Sequence, residues 1–311
     1  MVKPIVDSSI RDYQHKWQCF VNFLKNKEVE LKDVTMSNVL QFLIYLFHVK
    51  HFKPGTIAKY KTALTKPLVH FNIDLKVPAI TDLLKGMTQQ RPNNPVSAPS
   101  WSLNKVLAFI DDLVEPIPDT MLLRKTAFLL LLATGWRVSE LHAYVANEEY
   151  CFFTADSKLK LRPQPSFLAK NECRKRRWEH KVIPPLILQD GTSSNLCPVS
   201  TLRKYLQINS DIKDGPLFRA KSARNHTMTV HGLSTHICKL ITDADPNTKA
   251  AVHDVRKYAS SCALAETMLV GDLTNEMNWS SPAVFYKYYL TATAPLERPV
   301  VLPTSNSQDQ L

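Results

Sequence analysis

The stretch Leu129–Leu141, LLLLATGWRVSEL, decides how the chain is read. Its first half is too apolar for a surface helix and reads as a helix of the core. Gly135 stops such a helix, because it takes positive φ without cost. Ser139 and Glu140 then restart helical chemistry. Arg137 is therefore expected at a bend between two helical segments, its head held at the edge of the core. A lone arginine in that place is ordinarily a snorkelling side chain. What lies further along the chain gives it another meaning.

Downstream stand His253-Asp254-Val255-Arg256 and then Trp279-Ser280-Ser281-Pro282-Ala283-Val284-Phe285-Tyr286-Lys287-Tyr288-Tyr289-Leu290. An arginine, then His-x-x-Arg, then Trp, then Tyr is the motif order of the tyrosine recombinases (the phage-integrase family), which the chain resembles. TGWRVSEL is similar to their first arginine motif, HDVR to the second and WSS…YYL to the nucleophile motif. The wording is most like the recombinases of eukaryotic DIRS-type and crypton-type mobile elements, with their T-G-W-R-x-S-E and W-x-S-x-x-T-F-x-x-x-Y-L strings. Each motif alone is weak. Their joint order carries the resemblance, in wording from Trp101 to Leu290 and only in architecture before that.

The bulk properties agree with a polyanionic partner. Lys and Arg outnumber Asp and Glu by 39 to 28 in 311 residues, a balance that favours nucleic acid. The length suits two domains. Seven glycines leave little room for a phosphate-cradling loop, and no G-x-x-x-x-G-K occurs. The six cysteines form no C-x-x-C pair, so neither a zinc ribbon nor a disulfide framework is indicated. No apolar run reaches the roughly 18 residues of a membrane span. The expected compartment is the nucleus in a eukaryotic host and the cytoplasm otherwise.

The expected fold is mainly α with a small antiparallel β-sheet, in two domains. Residues 1–91 form a helical bundle. Apolar positions recur at helical spacing from Ile10 to Leu24 after a Ser8-Ser9 cap, from Val39 to Phe47 after Thr35 or Ser37, from Ile57 to Val69 after Lys53-Pro54, and over 79–87. Lys50, His51, Lys53, Lys59, Lys61 and Lys66 gather around the third helix and could face DNA, although a charge run is as readily a solvated face. The Pro-rich segment 92–100 is a linker, with Arg91 at its start a candidate phosphate contact. Residues 101–290 form the second domain: helices over 102–113, 120–134, 198–206, 229–241, 253–268 and from Pro282. Short strands are expected at 150–153, 158–161 and 180–184. The tail, 291–311, is expected to be loose or to dock elsewhere.

The resemblance implies the chemistry. A tyrosine hydroxyl attacks a phosphodiester without metal or nucleotide cofactor. Arg137 and Arg256 would hold the nonbridging oxygens, since two guanidiniums offer planar, permanently charged donors. Trp279 would donate a third hydrogen bond. Lys170, in Phe167-Leu168-Ala169-Lys170, would protonate the leaving 5′ oxygen, with Lys175 and Lys181 as weaker alternatives. His253 would handle the proton near the tyrosine. Glu140 would orient Arg137 or His253. Each has a plain alternative: a surface His–Arg pair, a core tryptophan, a solvated basic run at Arg174-Lys175-Arg176-Arg177 that could equally touch DNA or direct nuclear import.

The attacking tyrosine has two candidates. Bacterial and phage members place it nine residues after the Trp position, which selects Tyr288. The eukaryotic element group places it ten after, which selects Tyr289, with Phe285 fixing the register; Tyr286 is a third choice. Adjacent helical residues point about 100° apart, so only one of Tyr288 and Tyr289 is expected at the site. The implied protein is a site-specific recombinase or integrase of a mobile element, working on double-stranded DNA through a 3′-phosphotyrosyl intermediate and as a homotetramer on two sites. A topoisomerase-like nicking-closing enzyme and a domesticated, inactive DNA-binding protein are the rival readings.

Overall fold

A computed structural model describes residues 7–92, 98–164, 166–170, 180–210, 215–219, 228–266 and 268–304. The chain divides into two compact units, Met1–Pro95 and Val96–Leu311.

The first unit is a bundle of four helices: α1 (Asp7–Lys25), α2 (Met36–His48), α3 (Pro54–Val69) and α4 (Pro78–Gln90). α1 begins at Asp7, so Ser8 and Ser9 fall in its first turn rather than at its cap. α2 starts where a capping box forms between Thr35 and Asn38, which satisfies two orphan amide donors. α3 and α4 each begin with a proline, whose missing N–H costs nothing in the first turn. The inward faces of α1, α2 and α3 meet in an aromatic core around Phe42, with Phe20, Phe23 and Tyr60 packed on it.

The second unit is built on α6 (Asp119–Thr134). Leu122, Leu123 and every residue from Lys125 to Thr134 are buried. A helix apolar all round must be surrounded, and α8 (Pro198–Ile208), α9 (Val230–Ala244) and α10 (His253–Ala265) pack against it, with α5 (Leu103–Asp111) laid on α9. The sheet is a small antiparallel one, β1 (Cys151–Phe153), β2 (Leu159–Leu161) and β3 (Lys181–Ile183), in that order. Its register pairs Leu159 with Ile183 and Leu161 with Lys181, so Leu159, Leu161, Lys181 and Ile183 share the buried face.

Two elements differ from the expected course. The helix expected over 253–268 ends at Ala265, and a separate seven-residue helix, α11 (Val270–Glu276), follows. Only Leu273 and Thr274 of α11 are buried, too few positions to show a period. The tyrosine helix, α12 (Pro282–Tyr288), stops one residue early, leaving Tyr289 outside it with φ −124°. Of the two outcomes expected for the tail, residues 291–304 dock. Arg298 pairs with Asp111, Asn104 bonds the Pro295 carbonyl, and Val301 enters the core.

Candidate active site

The seat of the site is the end of α6. Gly135 closes the helix in the left-handed region at φ 61°. A Cβ there would stand 2.2 Å from Cε of Met277, so the tip of that side chain would have to shift, but it is the left-handed backbone that requires glycine. The chain then turns into α7 (Val138–His142), with Arg137 at its N-cap. Glu140, only 1% exposed, fixes that turn. Its carboxylate accepts from the Arg137 backbone N–H at 2.7 Å and from Arg137 Nη1 at 2.6 Å. The same carboxylate stands 3.9 Å from Arg256 Nη1, so Glu140 faces the two arginines, and these are its charged contacts.

Arg256 reaches the seat from α10. It is 1% exposed. Nη1 donates to the Gly135 carbonyl and Nη2 to the Met277 carbonyl, each at 2.5 Å, while Nε has no hydrogen-bond partner. Burial, and then the nearby Arg137 charge, push its pKa down to about 10, which still leaves it charged near neutrality. His253, one turn earlier on α10, has its pKa lowered by burial first and by Arg256, Arg137 and Lys257 after that, against the opposing pull of Asp254. The imidazole is therefore mainly neutral near pH 7.

Trp279 and the tyrosines close the other side. The Trp279 ring is stacked on Phe285 at 5.5 Å and lies 4.7 Å from the Tyr289 ring. Its indole N–H is buried without an acceptor, a costly state unless a ligand supplies one. The Tyr289 ring lies 5.4 Å from the His253 ring and 5.3 Å from the Arg256 guanidinium. Ser261, on α10, donates to the Tyr289 carbonyl and accepts from the Thr291 N–H, which pins the chain just past α12.

A cavity of about 340 Å³ opens here, lined by Arg137, Lys170, His253, Trp279, Ser280, Val284, Tyr288 and Tyr289, with Arg256 and Glu140 buried behind it. The expectation that adjacent tyrosines could not share it is corrected: both line it. The reason is that Tyr289 has left the helix, so the helical 100° step does not apply. They differ in setting. Tyr289 is 7% exposed and packed on the His253 and Trp279 rings, whereas Tyr288 is 47% exposed. Tyr286, 56% exposed, does not line the cavity. Among the lysines, Lys170 lines it and Lys181 does not; Lys181 is buried in an ion pair with Glu276. Lys175, with Arg174, Arg176 and Arg177, lies outside the described residues.

In the first unit the expected basic cluster is divided. Lys59 and Lys66, seven apart, share one exposed stripe of α3. Lys61 lies on the side facing Ile80 and Leu84 of α4. Lys50, His51 and Lys53 are exposed before α3, with Lys50 over the Tyr45 ring. Arg91 is turned inward: it donates to the carbonyls of Phe52 and Phe47 and stacks on the Phe47 ring at 4.2 Å. These contacts tie the end of α4 to the bundle. The Gly135 and Met277 carbonyls went unnoticed in the sequence because a main-chain acceptor leaves no residue signature, and Ser261 because its hydroxyl meets main-chain atoms of Tyr289 and Thr291.

No protein-family model and no curated protein matches the sequence. Solved structures do. The XerH site-specific recombinase bound to palindromic difH substrate, in its post-cleavage complex, aligns with TM-score 0.60 at 13% identity, over 89% of this chain and 76% of that one. A lambda integrase(75–356) dimer bound to a COC' core site aligns with TM-score 0.57 at 13% identity, over 96% and 94%. The Tn1549 transposon integrase in complex with transposon right-end DNA aligns with TM-score 0.54 at 14% identity, over 91% and 90%. The fold is that of the tyrosine recombinases. Within it, the mainly helical second unit with its three-stranded antiparallel sheet is what the expected fold class describes. Among the described residues no helix is long and apolar enough to cross a membrane.

Proposed function

We propose that the protein is a tyrosine recombinase that cuts and rejoins duplex DNA for the integration or excision of a mobile element. The observation that supports this best is the single cavity shared by Arg137, Lys170, His253, Trp279 and Tyr289, with Arg256 behind it. A phosphodiester placed there would meet the Arg137 guanidinium at the cavity wall, with the unpartnered Nε of Arg256 and the unpartnered indole N–H of Trp279 as further donors behind it. Charge that develops on the nonbridging oxygens in the transition state would be met by donors already in place.

In this reading the Tyr289 oxygen attacks phosphorus, and neutral His253 accepts the phenolic proton. The P–O5′ bond breaks, and Lys170 gives its proton to the departing oxygen. The product is a 3′-phosphotyrosyl link and a free 5′ hydroxyl, which conserves the bond for rejoining. Glu140 holds Arg137 in register. The exposed lysines of α3, with Lys50, His51 and Lys53, would grip the duplex through phosphates. Residues 1–91 would act as the DNA-gripping domain, 101–290 as the catalytic domain. One structural neighbour is a lambda integrase tetramer bound to a Holliday junction; a homotetramer on two sites is the assembly we propose here. The DIRS-type and crypton-type wording of the motifs supports a eukaryotic element, and with it a nuclear location.

The test is a library of nicked duplexes, randomised around the nick, incubated with the protein and resolved on a denaturing gel. A covalent adduct is expected, mapping to Tyr289. Lys170→Ala should slow its formation, and a 5′-phosphorothiolate should restore the rate, since sulfur leaves without a proton. Duplex binding with no adduct on any tyrosine between 286 and 289 would favour the inactive DNA-binding rival. Relaxation of supercoiled plasmid by the monomer would favour the nicking-closing one.

A further inference from the structure

A buried ion pair stands behind the site rather than in it. Lys181 is the first residue of β3, on the sheet's inward face, opposite Leu161. An alternating strand ordinarily keeps charge on its outer face, yet Lys181 is 4% exposed and paired with Glu276, itself nearly buried. Such a pair repays its desolvation poorly as a source of stability; apolar residues of the same size often do as well. Its position suggests another use.

Glu276 is the last residue of α11, and the next carbonyl, that of Met277, receives Arg256 Nη2. The turn continues to Trp279, whose backbone N–H bonds the Thr274 carbonyl of the same helix. The other carbonyl that receives Arg256 belongs to Gly135, at the end of α6, and β3 packs on α6. The seat of Arg256 thus has two walls, and Lys181 joins one to the other. Burial, and then the Arg256 charge, push the Lys181 ammonium down to about 7, and the Glu276 carboxylate is its ion-pair partner. We propose that the Lys181–Glu276 pair is a positioning element that sets the end of α11 and thereby holds the guanidinium of Arg256 and the indole of Trp279 in working geometry. A displacement of about 1 Å at a reacting group can cost about a hundredfold in rate, so a clasp of this kind would show in turnover well before it showed in folding.

The inference rests on the proposed reading of the site, and its test separates the two. Lys181→Met strands a buried carboxylate and could unfold the chain. The double variant Lys181→Met with Glu276→Leu removes both charges and keeps the volume, so it is the informative one. The first readout needs no DNA: the Nε–H resonance of Arg256, assigned by its loss in Arg256→Lys, together with its hydrogen exchange. In the double variant this resonance should move, and its exchange should quicken by about tenfold or more, the mark of a locally opened seat. The second readout is adduct formation on the nicked-duplex library, which should slow by about tenfold or more with duplex affinity within about twofold. A folded double variant with an unmoved Arg256 resonance and wild-type exchange overturns the proposal. If the wild-type protein forms no adduct, the recombinase reading fails and the resonance alone decides the clasp.

Discussion

Around Phe42 the first unit buries rings against rings, with Phe20, Phe23 and Tyr60 centred 5.1, 5.2 and 5.9 Å away. Around Arg256 the second unit buries charge: Glu140, Lys181, Asp254 and Lys257 are all less than a tenth exposed. Lys16 is the one charged side chain buried in the first unit among the described residues. The contrast separates two uses of an interior. A dispersed apolar core, at about 1.5–3 kcal/mol per large side chain, makes a body rigid and gives no single atom a required place. A charged interior contributes little net stability, but it aims donors at particular acceptors, as Arg256 Nη1 and Nη2 are aimed at the Gly135 and Met277 carbonyls. The unoccupied indole of Trp279 and Nε of Arg256 then stand out as donors kept in reserve.

The hardest blow to that contrast would be Arg256→Ala. Removing the guanidinium leaves the Gly135 and Met277 carbonyls buried without their donor and Glu140 with one cation fewer. We expect the second unit to lose about 3–5 kcal/mol in urea unfolding and adduct formation to fall about a thousandfold. Duplex affinity should stay near wild type, since most of it comes from dispersed phosphate contacts. Parallel loss of binding and cleavage would mean that Arg256 is a structural residue.

Tyr289→Phe should separate what Arg256→Ala joins. The ring and its contacts with His253 and Trp279 remain, so stability should change by less than about 1 kcal/mol, while the adduct disappears. Tyr288→Phe, at a half-exposed position, should leave adduct formation in place. Peptide mapping that found DNA on Tyr288 would overturn the assignment. In the first unit, Phe42→Ala should do the reverse: cost about 3–5 kcal/mol, yet leave the single-turnover cleavage rate unchanged at saturating duplex. A slowed chemical step in that variant would show that the first unit's core also sets catalytic geometry.

How much of this was legible in the sequence follows the same division. The bend at Gly135, the placing of Arg137 at the head of α7 and the gathering of His253, Trp279 and Tyr289 were legible, because helix stops and motif order are written in side chains. The aromatic core was too, through its helical spacing, although Ile10, expected inward, is 39% exposed. What stayed hidden depends on main-chain atoms or on pairing across long separations. The carbonyls that seat Arg256 have no residue code. Lys181 and Glu276 lie 95 positions apart, counted from their numbers, and nothing in the sequence pairs them: Lys181 reads there as a weaker candidate for the leaving-group acid and Glu276 as an ordinary surface charge. The early end of α12 was hidden because nothing in Tyr-Lys-Tyr-Tyr breaks a helix; the Ser261 contacts to the Tyr289 carbonyl and Thr291 N–H lie where the chain leaves it.

A milder probe is acid. His253 has a folded pKa below its ordinary value, mainly through burial. A proton is therefore taken up on unfolding in the window between that value and about 6.5, so stability rises with pH there and is lost as pH falls through it. Adduct formation should still be level at the ordinary histidine value of about 6.5 and decline only at lower pH, as His253 is protonated through its lowered folded value. His253→Gln, slower throughout, should lack the decline. An unchanged acidic limb in that variant would move the proton-accepting role to another group.

The smallest expected effect tests the first unit's surface. Lys59 and Lys66 share an exposed stripe of α3, whereas Lys61 faces α4 beside Ile80 and Leu84. If the stripe grips phosphate, Lys59→Gln with Lys66→Gln should reduce the slope of log affinity against log salt by about two, close to one per lost contact. Lys61→Gln should leave the slope unchanged. Neither variant should alter the cleavage rate of bound duplex, because neither touches the buried seat. The three slopes, measured by titration across salt, distinguish a directed basic face from a merely solvated one. Equal slopes in all three proteins would show that α3 is simply wet. Equal losses for Lys61 and for the pair would show that charge acts from the whole unit, with no face preferred. Only the predicted inequality assigns DNA contact to one side of a helix whose opposite side is committed to the rings around Phe42.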